Sequence, residues 1–483
     1  MVRKTLILLF LGLLVLFIVT EDRGSSTLEL WHTEKLENEF DRDTHAVRVN
    51  DFSGYLELEQ ALFEELDSKI YSRTETGPAY LLNRYSAGSL TDPSGAQPNW
   101  NRSFSWDAKM PKGGVLLLHG MSDSPYSLRT LAQALQGQGY HVIGLRLPGH
   151  GTVPSALRHA HWEDMAAAVQ LAMEQLIAKS PGRPVHVIGY STGASLAINY
   201  TLDQLESELP APSSLVLISP AIRVHPFSAL AGIKDSLSVI PGLGNWAYVS
   251  IMDEFDPYKY NSFATNAAAQ VHAVTKRVVQ RIQALQGSPI LEQFPPVLVH
   301  KSAVDATVTT AAVVDNLLLK LPGQSNELVL FDINRHELFK SALLIADPAP
   351  LADRLVQDAA LPFTLTTISN KDTGSYAVEE RRRNPFARDN ASVTPLLSEW
   401  PRDVVSLSHV ALVFSPDDPL YGRTASQDSE LIFLGNLAFY GERGLLRIPP
   451  DWLLRMRHNP FYDYLEQRTV DWLETAELPP SMD

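Results

Sequence analysis

The sequence contains no cysteine among its 483 residues. This absence excludes a cysteine nucleophile, thiolate zinc sites, iron–sulfur clusters and disulfide bonds. It does not fix the compartment, because a protein without thiols is indifferent to redox conditions. The composition also lacks any disordered, collagenous or low-complexity character, since 45% of the residues are hydrophobic and 20% are charged. The chain is therefore able to bury one large core, or two to three cores of ordinary size.

Basic residues are in the minority, with 40 Lys and Arg against 55 Asp and Glu and a formal charge of −15. An acidic surface repels a phosphate backbone, so we expect no nucleic-acid partner. A neutral or lipid-like substrate is compatible with this charge, although the charge does not imply one. The sequence gives no indication of the oligomeric state.

The chain has one long apolar run, at residues 6–19, with Arg3 and Lys4 before it and charged residues at 21–23. This run is shorter than the roughly 20 residues of a spanning helix, but no small-residue cleavage site follows it. We expect residues 1–22 to be an uncleaved membrane anchor, with a removed signal peptide as the alternative. The flanking charges place the body outside, which in a bacterium is the periplasmic side of the inner membrane. Cleavage would instead release the protein into the periplasm.

From residue 113 onward, short apolar runs alternate with amphipathic stretches. The runs are 115–118, 141–147, 184–188, 213–219, 296–300 and 327–333, with a possible further strand at 363–368. Helices are predicted at 52–70, 126–136, 162–179 and 265–286. This alternation predicts an α/β fold class, a mostly parallel central sheet with helices on both faces. We divide the chain into an anchor (1–22), an N-terminal extension (23–110), a first half of the core (111–222), an inserted cap or lid (223–287) and a second half of the core with an internal insertion (288–475).

The segment Gly189-Tyr-Ser191-Thr-Gly193 follows one of these runs and precedes a small, helix-forming run at 194–200. This pattern is typical of a strand-to-helix turn that holds a nucleophilic serine in a strained conformation. Glycine is needed on both sides because β-carbons there would collide across the bend. We predict that Ser191 is a nucleophile and that its oxygen projects above the carboxyl edge of the sheet.

A second turn, His119-Gly120-Met121, ends a strand 72 residues before Ser191. A turn at such a strand end supplies one N–H group of an oxyanion hole, here from Met121, and the residue after the nucleophile, Thr192, supplies the other. We expect His119 itself to be structural.

These motifs occur in a recognisable order: Leu118–Met121, Leu147-Pro-Gly-His-Gly151, Trp162 with Asp164, Gly189–Gly193 and Ser302-Ala-Val-Asp305. Over residues 110–340 the chain resembles the monoglyceride-lipase and lysophospholipase branch of the α/β-hydrolases. The resemblance implies an α/β-hydrolase fold with a cap, hydrolysis of carboxylic esters with long acyl chains, and neither a metal nor an organic cofactor. It also places Asp305 at the position of the catalytic acid, which orients the imidazole and stabilises the imidazolium.

Two histidines compete for the role of base. His336 lies 31 residues after Asp305, which is the usual separation in this branch, whereas His409 lies 104 residues after it. The stretch Ser406-Leu-Ser-His-Val-Ala411 nevertheless resembles the histidine-bearing segment of longer bacterial hydrolases of this type. We therefore predict His409, with His336 as the alternative and an insertion over 334–403.

Other activities remain open on the same fold: a peptidase of the proline-iminopeptidase kind, an acyltransferase or a short-chain esterase. A peptidase needs acidic residues in the cap to bind a free amine, and Asp253, Glu254 and Asp256 are candidates. The alternative that is not an enzyme is a catalytically silent scaffold tethered to the membrane. The cap also contains apolar residues that either line an acyl channel or pack against the core. These residues are Phe227, Leu230, Leu237, Ile240, Leu243 and Trp246.

Overall fold

The computed structural model describes residues 27–45, 49–95, 98–223, 244–305, 307–323, 325–336, 349–425, 431–435 and 454–476. The predicted anchor (1–22) and most of the apolar cap residues (224–243) lie outside these ranges. Within the ranges that the structure describes, no helix combines the length and the apolar character needed to cross a membrane.

Twelve strands occur in the described residues: β1 (Phe104–Trp106), β2 (Gly113–Leu118), β3 (Tyr140–Leu145), β4 (Val185–Tyr190), β5 (Leu215–Ile218), β6 (Tyr248–Ser250), β7 (Phe263–Ala264), β8 (Val297–Ser302), β9 (Glu327–Phe331), β10 (Thr364–Asn370), β11 (Ala377–Arg383) and β12 (Ser392–Glu399). Ten of them form one sheet in the order β1-β3-β2-β4-β5-β8-β9-β10-β11-β12, and β6 and β7 form a separate pair. The seven strands from β3 to β10 in this order are parallel to one another. The edge strands β1, β11 and β12 are antiparallel to their neighbours.

The strand order reverses between β2 and β4. After β2 the chain adds β3 on one side, and β4 then returns to the other side of β2. In open parallel sheets, such a reversal opens a crevice at the carboxyl ends of the strands, where ligands bind. The turn at His119 and the nucleophile candidate Ser191 follow these two strands, so they flank this crevice.

Helices cover the sheet and the N-terminal extension. They are α1 (Leu30–Thr33), α2 (Arg42–His45), α3 (Phe52–Lys69), α4 (Arg129–Gly137), α5 (Trp162–Lys179), α6 (Thr192–Glu206), α7 (Thr265–Ala284), α8 (Thr310–Val313), α9 (Ala349–Gln357) and α10 (Tyr462–Ala476). The four predicted helices are present as α3, α4, α5 and α7, with ends shifted by up to three residues, and a 3₁₀ turn (Pro125–Leu128) precedes α4.

Side chains alternate between two cores along the central strands. In β2, Leu116 and Leu118 join one hydrophobic cluster, while Val115 and Leu117 join the cluster on the opposite face. Every residue of β2 is buried. Because both faces are covered, the strand is a continuous apolar run instead of an alternating one, which explains why such runs predicted the parallel sheet.

The N-terminal extension is attached to the α/β core through a buried arginine. The Arg146 guanidinium, just beyond β3, is bound by Glu59 of α3 at 2.9 Å and by Glu39 at 3.1 Å. The Tyr55 hydroxyl donates to the Arg146 carbonyl at 2.7 Å. Arg146 and Glu59 are almost fully buried, so this ion pair belongs to the interior.

Several strands were not predicted. The cap region contains β6 and β7, although no strand-like run was expected within 223–287. The three-residue β1 is too short to give a periodic signal. β11 includes the charged run Glu-Glu-Arg-Arg-Arg, and β12 is largely exposed, so neither has the apolar pattern of a core strand. The possible strand at 363–368 is present as β10.

Candidate active site

Ser191 lies between β4 and α6 in a conformation that L-residues rarely adopt. Its φ is 52° and its ψ is −113°. Hydrogen bonds hold the backbone in place, since the Ser191 N–H donates to Ile218 O at 2.9 Å and the Ser191 carbonyl accepts from Ala221 N at 3.0 Å. The predicted strained turn is therefore present, and the neighbouring strand β5 maintains it.

The two glycines of the motif are required by close backbone contacts. A β-carbon at residue 189 would lie 2.4 Å from Ala194 Cα, and one at residue 193 would lie 2.1 Å from Leu118 O. Both contacts are with backbone atoms, which cannot move aside as a flexible side chain can. Gly193 thus allows the start of α6 to lie directly against the end of β2.

This contact brings the two predicted oxyanion-hole residues to one side of the crevice. Thr192 is the first residue of α6, so its N–H has no acceptor within the helix. This N–H lies at the positive end of the helix dipole. Met121 lies in the turn after β2, next to Ser122, whose φ is 65°. The Tyr260 N–H, from the cap, donates to Ser122 O at 2.9 Å and stabilises this turn.

Asp305 and His409 are in direct contact despite their separation in sequence. The distance between His409 Nδ1 and Asp305 Oδ2 is 2.7 Å. The other carboxylate oxygen of Asp305 accepts hydrogen bonds from the N–H groups of Thr307 at 2.8 Å and Val308 at 3.0 Å. Since Nδ1 is bound to the carboxylate, Nε2 is the ring nitrogen left to act on a substrate or nucleophile.

The imidazole lies beside the serine turn. The ring centroids of His409 and Tyr190, the residue before Ser191, are 5.4 Å apart. In the part of the chain that the structure describes, no hydrogen bond joins the Ser191 hydroxyl to His409.

His336 has a different environment. Its Nδ1 lies 2.9 Å from the carbonyl of Thr373, and its ring contacts Tyr376 at 4.3 Å between centroids. These partners belong to the loop between β10 and β11, away from Asp305. The structure therefore brings His409, and not His336, to the acid candidate.

The chain leaves and re-enters the α/β core at one place. The Asn334 N–H donates to Val405 O at 2.8 Å, and the Asn334 side chain donates to Val404 O at 2.8 Å. The Ser302 hydroxyl, at the end of β8, donates to Leu407 O at 2.9 Å. Residues 404–409 thus continue beside β8 and β9 where the chain departed at residue 334.

Lys301 is a site residue that sequence reasoning missed. Its side chain is completely buried and its ammonium contacts Asp305 Oδ2. Burial raises the pKa of Asp305, but the hydrogen bond from His409 and the charge of Lys301 outweigh it and hold the pKa below the ordinary value. Little in the sequence indicated this role, because Lys301 lies between His300 and Ser302 at the polar end of β8 and its partner follows four residues later in the loop.

The remaining histidines of the recognised motifs are structural. His119 Nε2 accepts from Leu147 N at 3.1 Å, and His150 Nδ1 donates to Pro148 O at 3.0 Å. Burial lowers the pKa of His150 to about 4, so the ring is neutral at pH 7. At the start of α5, the His161 side chain accepts from the backbone of Asp164 in a capping box. Across the described ranges, no cluster of three or more His, Asp or Glu side chains is arranged to hold a metal ion.

Two of the three acidic cap candidates are occupied by contacts within the protein, whereas Asp253 is exposed. Glu254 accepts from the N–H groups of Ser262 at 2.7 Å and Asn261 at 3.0 Å, and it is buried. Asp256 is also buried and accepts from the Tyr421 hydroxyl at 2.5 Å. Both carboxylates therefore stabilise the fold of the cap.

Comparisons with known proteins agree with this geometry. Residues 109–341 match the family model described as serine aminopeptidase, S33. Over 116 residues, 24% of this chain and 44% of the relative, the sequence is 32% identical to a thermostable monoacylglycerol lipase from Bacillus sp. strain H-257. Over 150 residues, 29% of this chain and 56% of the relative, it is 28% identical to the phospholipase YtpA of Bacillus subtilis strain 168.

The chain spans about half the length of the curated relatives it matches. Among solved structures, a monoacylglycerol lipase from Paleococcus ferrophilus is 18% identical, with a TM-score of 0.36 over 48% of this chain and 88% of that chain. The names of both curated relatives agree with the prediction of a carboxylic ester hydrolase. The strand order, the serine turn and the match over residues 109–341 confirm the predicted α/β-hydrolase fold.

Proposed function

We propose that the protein hydrolyses carboxylic esters of lipid-like substrates, with lysophospholipids and monoacylglycerols as the first candidates, through an acyl-enzyme on Ser191. The observation that carries the proposal is the contact of 2.7 Å between His409 and the buried Asp305, beside a serine with a φ of 52°. A strained serine and an oriented imidazole are the two groups that acyl transfer needs. The lipid class is suggested by the names of the two relatives.

In the proposed mechanism, His409 Nε2 accepts the Ser191 proton as the serine oxygen attacks the ester carbonyl. The N–H groups of Met121 and Thr192 stabilise the oxyanion, and the imidazolium is stabilised by Asp305. The imidazolium then protonates the leaving alcohol. A water molecule, deprotonated by the same imidazole, attacks the acyl-enzyme and releases the acid and Ser191.

Labelling with a fluorophosphonate tests the nucleophile. The purified protein should bind the probe covalently, and Ser191→Ala should abolish labelling, whereas a catalytically silent scaffold would not react. Ser195→Ala is a matched control, because its hydroxyl lies one helical turn further along α6 and donates to Ala221 O. An acyl-length series of p-nitrophenyl esters, extended to lysophospholipids and monoacylglycerols, tests the substrate class. A rate that falls steadily with chain length would refute the lipid assignment.

A pair of histidine variants tests the base. His409→Ala should lose nearly all turnover, by a factor of about 10⁶, because the alkoxide can no longer be generated. His336→Ala should retain most activity, since this ring contacts Thr373 and Tyr376 instead of Asp305. The reverse pattern of kcat values would transfer the role to His336.

An aminopeptidase is the second candidate, because the matching family model carries that description. Binding of a free N-terminal amine needs an available carboxylate. Glu254 and Asp256 are buried and already hydrogen-bonded within the protein, so that Asp253 is the exposed member of the three, and this disfavours the candidate. Turnover of amino-acid p-nitroanilides at a higher kcat/KM than p-nitrophenyl octanoate would reverse the preference.

For the cellular location we propose attachment to the bacterial inner membrane by residues 1–22, with the hydrolase domain on the periplasmic side. The support is the apolar run at 6–19 and the charges that flank it. The full chain should remain in the membrane fraction after carbonate extraction and be digested by protease added to spheroplasts. Recovery in the soluble periplasmic fraction would indicate a cleaved signal peptide.

A further inference from the structure

The buried ammonium of Lys301 is a group that the acyl-enzyme mechanism does not use. Lys301 lies near the end of β8, four residues before Asp305, and its side chain is 0% exposed. It shares one acceptor atom, Asp305 Oδ2, with His409 Nδ1. A buried lysine is costly unless it is paired, and within the described part of the chain its ammonium is paired with the carboxylate of the acid candidate.

Among the residues that the structure describes, the carboxylate has four hydrogen-bond partners. The N–H groups of Thr307 and Val308 bind Oδ1, while Lys301 and His409 bind Oδ2. Two of these partners fix the carboxylate in position without carrying a net charge. Loss of the lysine would therefore leave Asp305 held by three partners, and it would remove one positive charge from the oxygen that faces the imidazole.

We propose that Lys301 is a positioning residue that extends activity to lower pH. Its charge holds Asp305 ionised, and it also weakens the attraction between the Asp305 carboxylate and the His409 imidazolium. This inference rests on the proposed function. Because two cations share one carboxylate oxygen, each reduces the attraction that the other experiences. Lys301 therefore competes with a protonated His409 for the same carboxylate oxygen.

Removal of the lysine charge has two effects in the same direction. An unshared Asp305 carboxylate attracts a proton to the imidazole more strongly, and a buried carboxylate without its cation is itself easier to protonate. Protonation of the imidazole or of the carboxylate inactivates the base. Burial lowers the pKa of Lys301 while Asp305 raises it, and His409 with Lys301 lowers the pKa of Asp305 against the effect of burial.

Other ionisable groups near the cluster remain unchanged when Lys301 is replaced. Tyr190 of β4 faces Asp305, and it also experiences the charges of Asp123, after β2, and of Arg457, near the C-terminus. None of these groups contacts Asp305 Oδ2 among the described residues. Their influence is therefore common to the wild type and the variants, and the comparison isolates the charge of Lys301.

The test is the pH dependence of kcat/KM for a p-nitrophenyl ester in Lys301→Met and Lys301→Gln. Both variants remove the charge, and glutamine retains a hydrogen-bond donor to the carboxylate. The acid limb should move to higher pH by about one unit in either variant, while the activity above the limb changes much less. Lys301→Arg keeps the charge, so its acid limb should coincide with that of the wild type.

Lys179→Met is the matched control, because Lys179 forms a surface ion pair with Asp107 at 2.6 Å and should leave the profile unchanged. A purely structural role would lower kcat/KM by the same factor at every pH without moving the limb, and this result would overturn the inference. A shifted limb in Lys301→Arg would overturn it as well. Failure of the proposed function is distinguishable, since the wild-type protein would then neither hydrolyse the ester nor react with the fluorophosphonate.

Discussion

The closest backbone contact at the serine turn predicts a large effect from a single methyl group. In Gly193→Ala, the added β-carbon would lie 2.1 Å from Leu118 O, 2.6 Å from Leu118 C and 2.7 Å from His119 O. Ordinary van der Waals contact for such an atom begins at 3.4 Å. The start of α6 and the end of β2 must therefore separate by more than 1 Å along this contact.

This separation affects the two proposed oxyanion-hole donors directly, because Thr192 starts α6 and Met121 follows β2. A misplacement of about 1 Å costs on the order of 10²-fold in rate, and loss of one donor costs about 10² to 10³-fold. We expect kcat/KM for a p-nitrophenyl ester to fall by about 10² or more. Overpacking should also lower the free energy of unfolding by about 1–3 kcal/mol, measured by urea denaturation.

Gly137→Ala is the matched control for the same substitution. Gly137 ends α4, no atom lies within 4 Å of its added β-carbon, and its φ is not in the left-handed region. This variant should retain full activity and gain up to about 1 kcal/mol in stability, because alanine loses less backbone entropy on folding. If Gly193→Ala were as active and as stable as Gly137→Ala, α6 would not lie against the end of β2, and the proposed oxyanion hole would be wrong.

Two further predictions concern buried charges. Arg146→Met leaves the carboxylates of Glu59 and Glu39 without their cation, so the free energy of unfolding in urea should fall by about 3–5 kcal/mol. The control Lys35→Met removes a surface ion pair and should lower the free energy of unfolding by less than about 1 kcal/mol. An equal loss in both variants would contradict the role of the buried pair. Burial raises the pKa of Glu254 from 4.5 to about 7, so the folded state holds this proton more tightly than the unfolded state. Stability should therefore decrease as pH rises from about 4.5 to 7 and level off above it, and Glu254→Gln should reduce this decrease in pH-dependent thermal unfolding.

Sequence predicted the parts of the molecule whose local chemistry has few solutions. A sharp turn between a buried strand and a helix tolerates only glycine at positions 189 and 193, and the contacts at 2.4 Å and 2.1 Å explain this requirement. The central strands were predictable because burial on both faces demands continuous apolar runs. In these places one physical constraint acts on consecutive residues, so it leaves a pattern in the sequence.

The features that were missed depend on contacts between distant segments. β11 forms from a charged run because Arg382 pairs with Glu327 of β9 at 2.9 Å and Arg383 donates to the Leu355 carbonyl in the last turn of α9 at 2.8 Å. The apolar pattern that defines core strands is absent from such a segment, since its partners are charged or polar. Lys301 was overlooked for a related reason: its pairing with Asp305 is apparent only when the strand and the loop are seen together.

The choice between the two histidines shows how a long-range contact replaces a spacing rule. His336 has the usual separation of 31 residues from Asp305, but the hydrogen bonds from Asn334 to Val404 and Val405 join the two ends of an excursion. Residues 335–404 number 70, and subtracting them from the separation of 104 between Asp305 and His409 leaves 34. Measured along the hydrolase core alone, His409 therefore lies at almost the ordinary distance from the acid.

The sheet could be extended by β10, β11 and β12 at this point without moving the imidazole, because the chain returns to the carboxyl ends of β8 and β9 before residue 409. Separation in sequence is thus informative about a catalytic base only after the excursion has been located, and in this chain the three hydrogen bonds of Asn334 and Ser302 locate it.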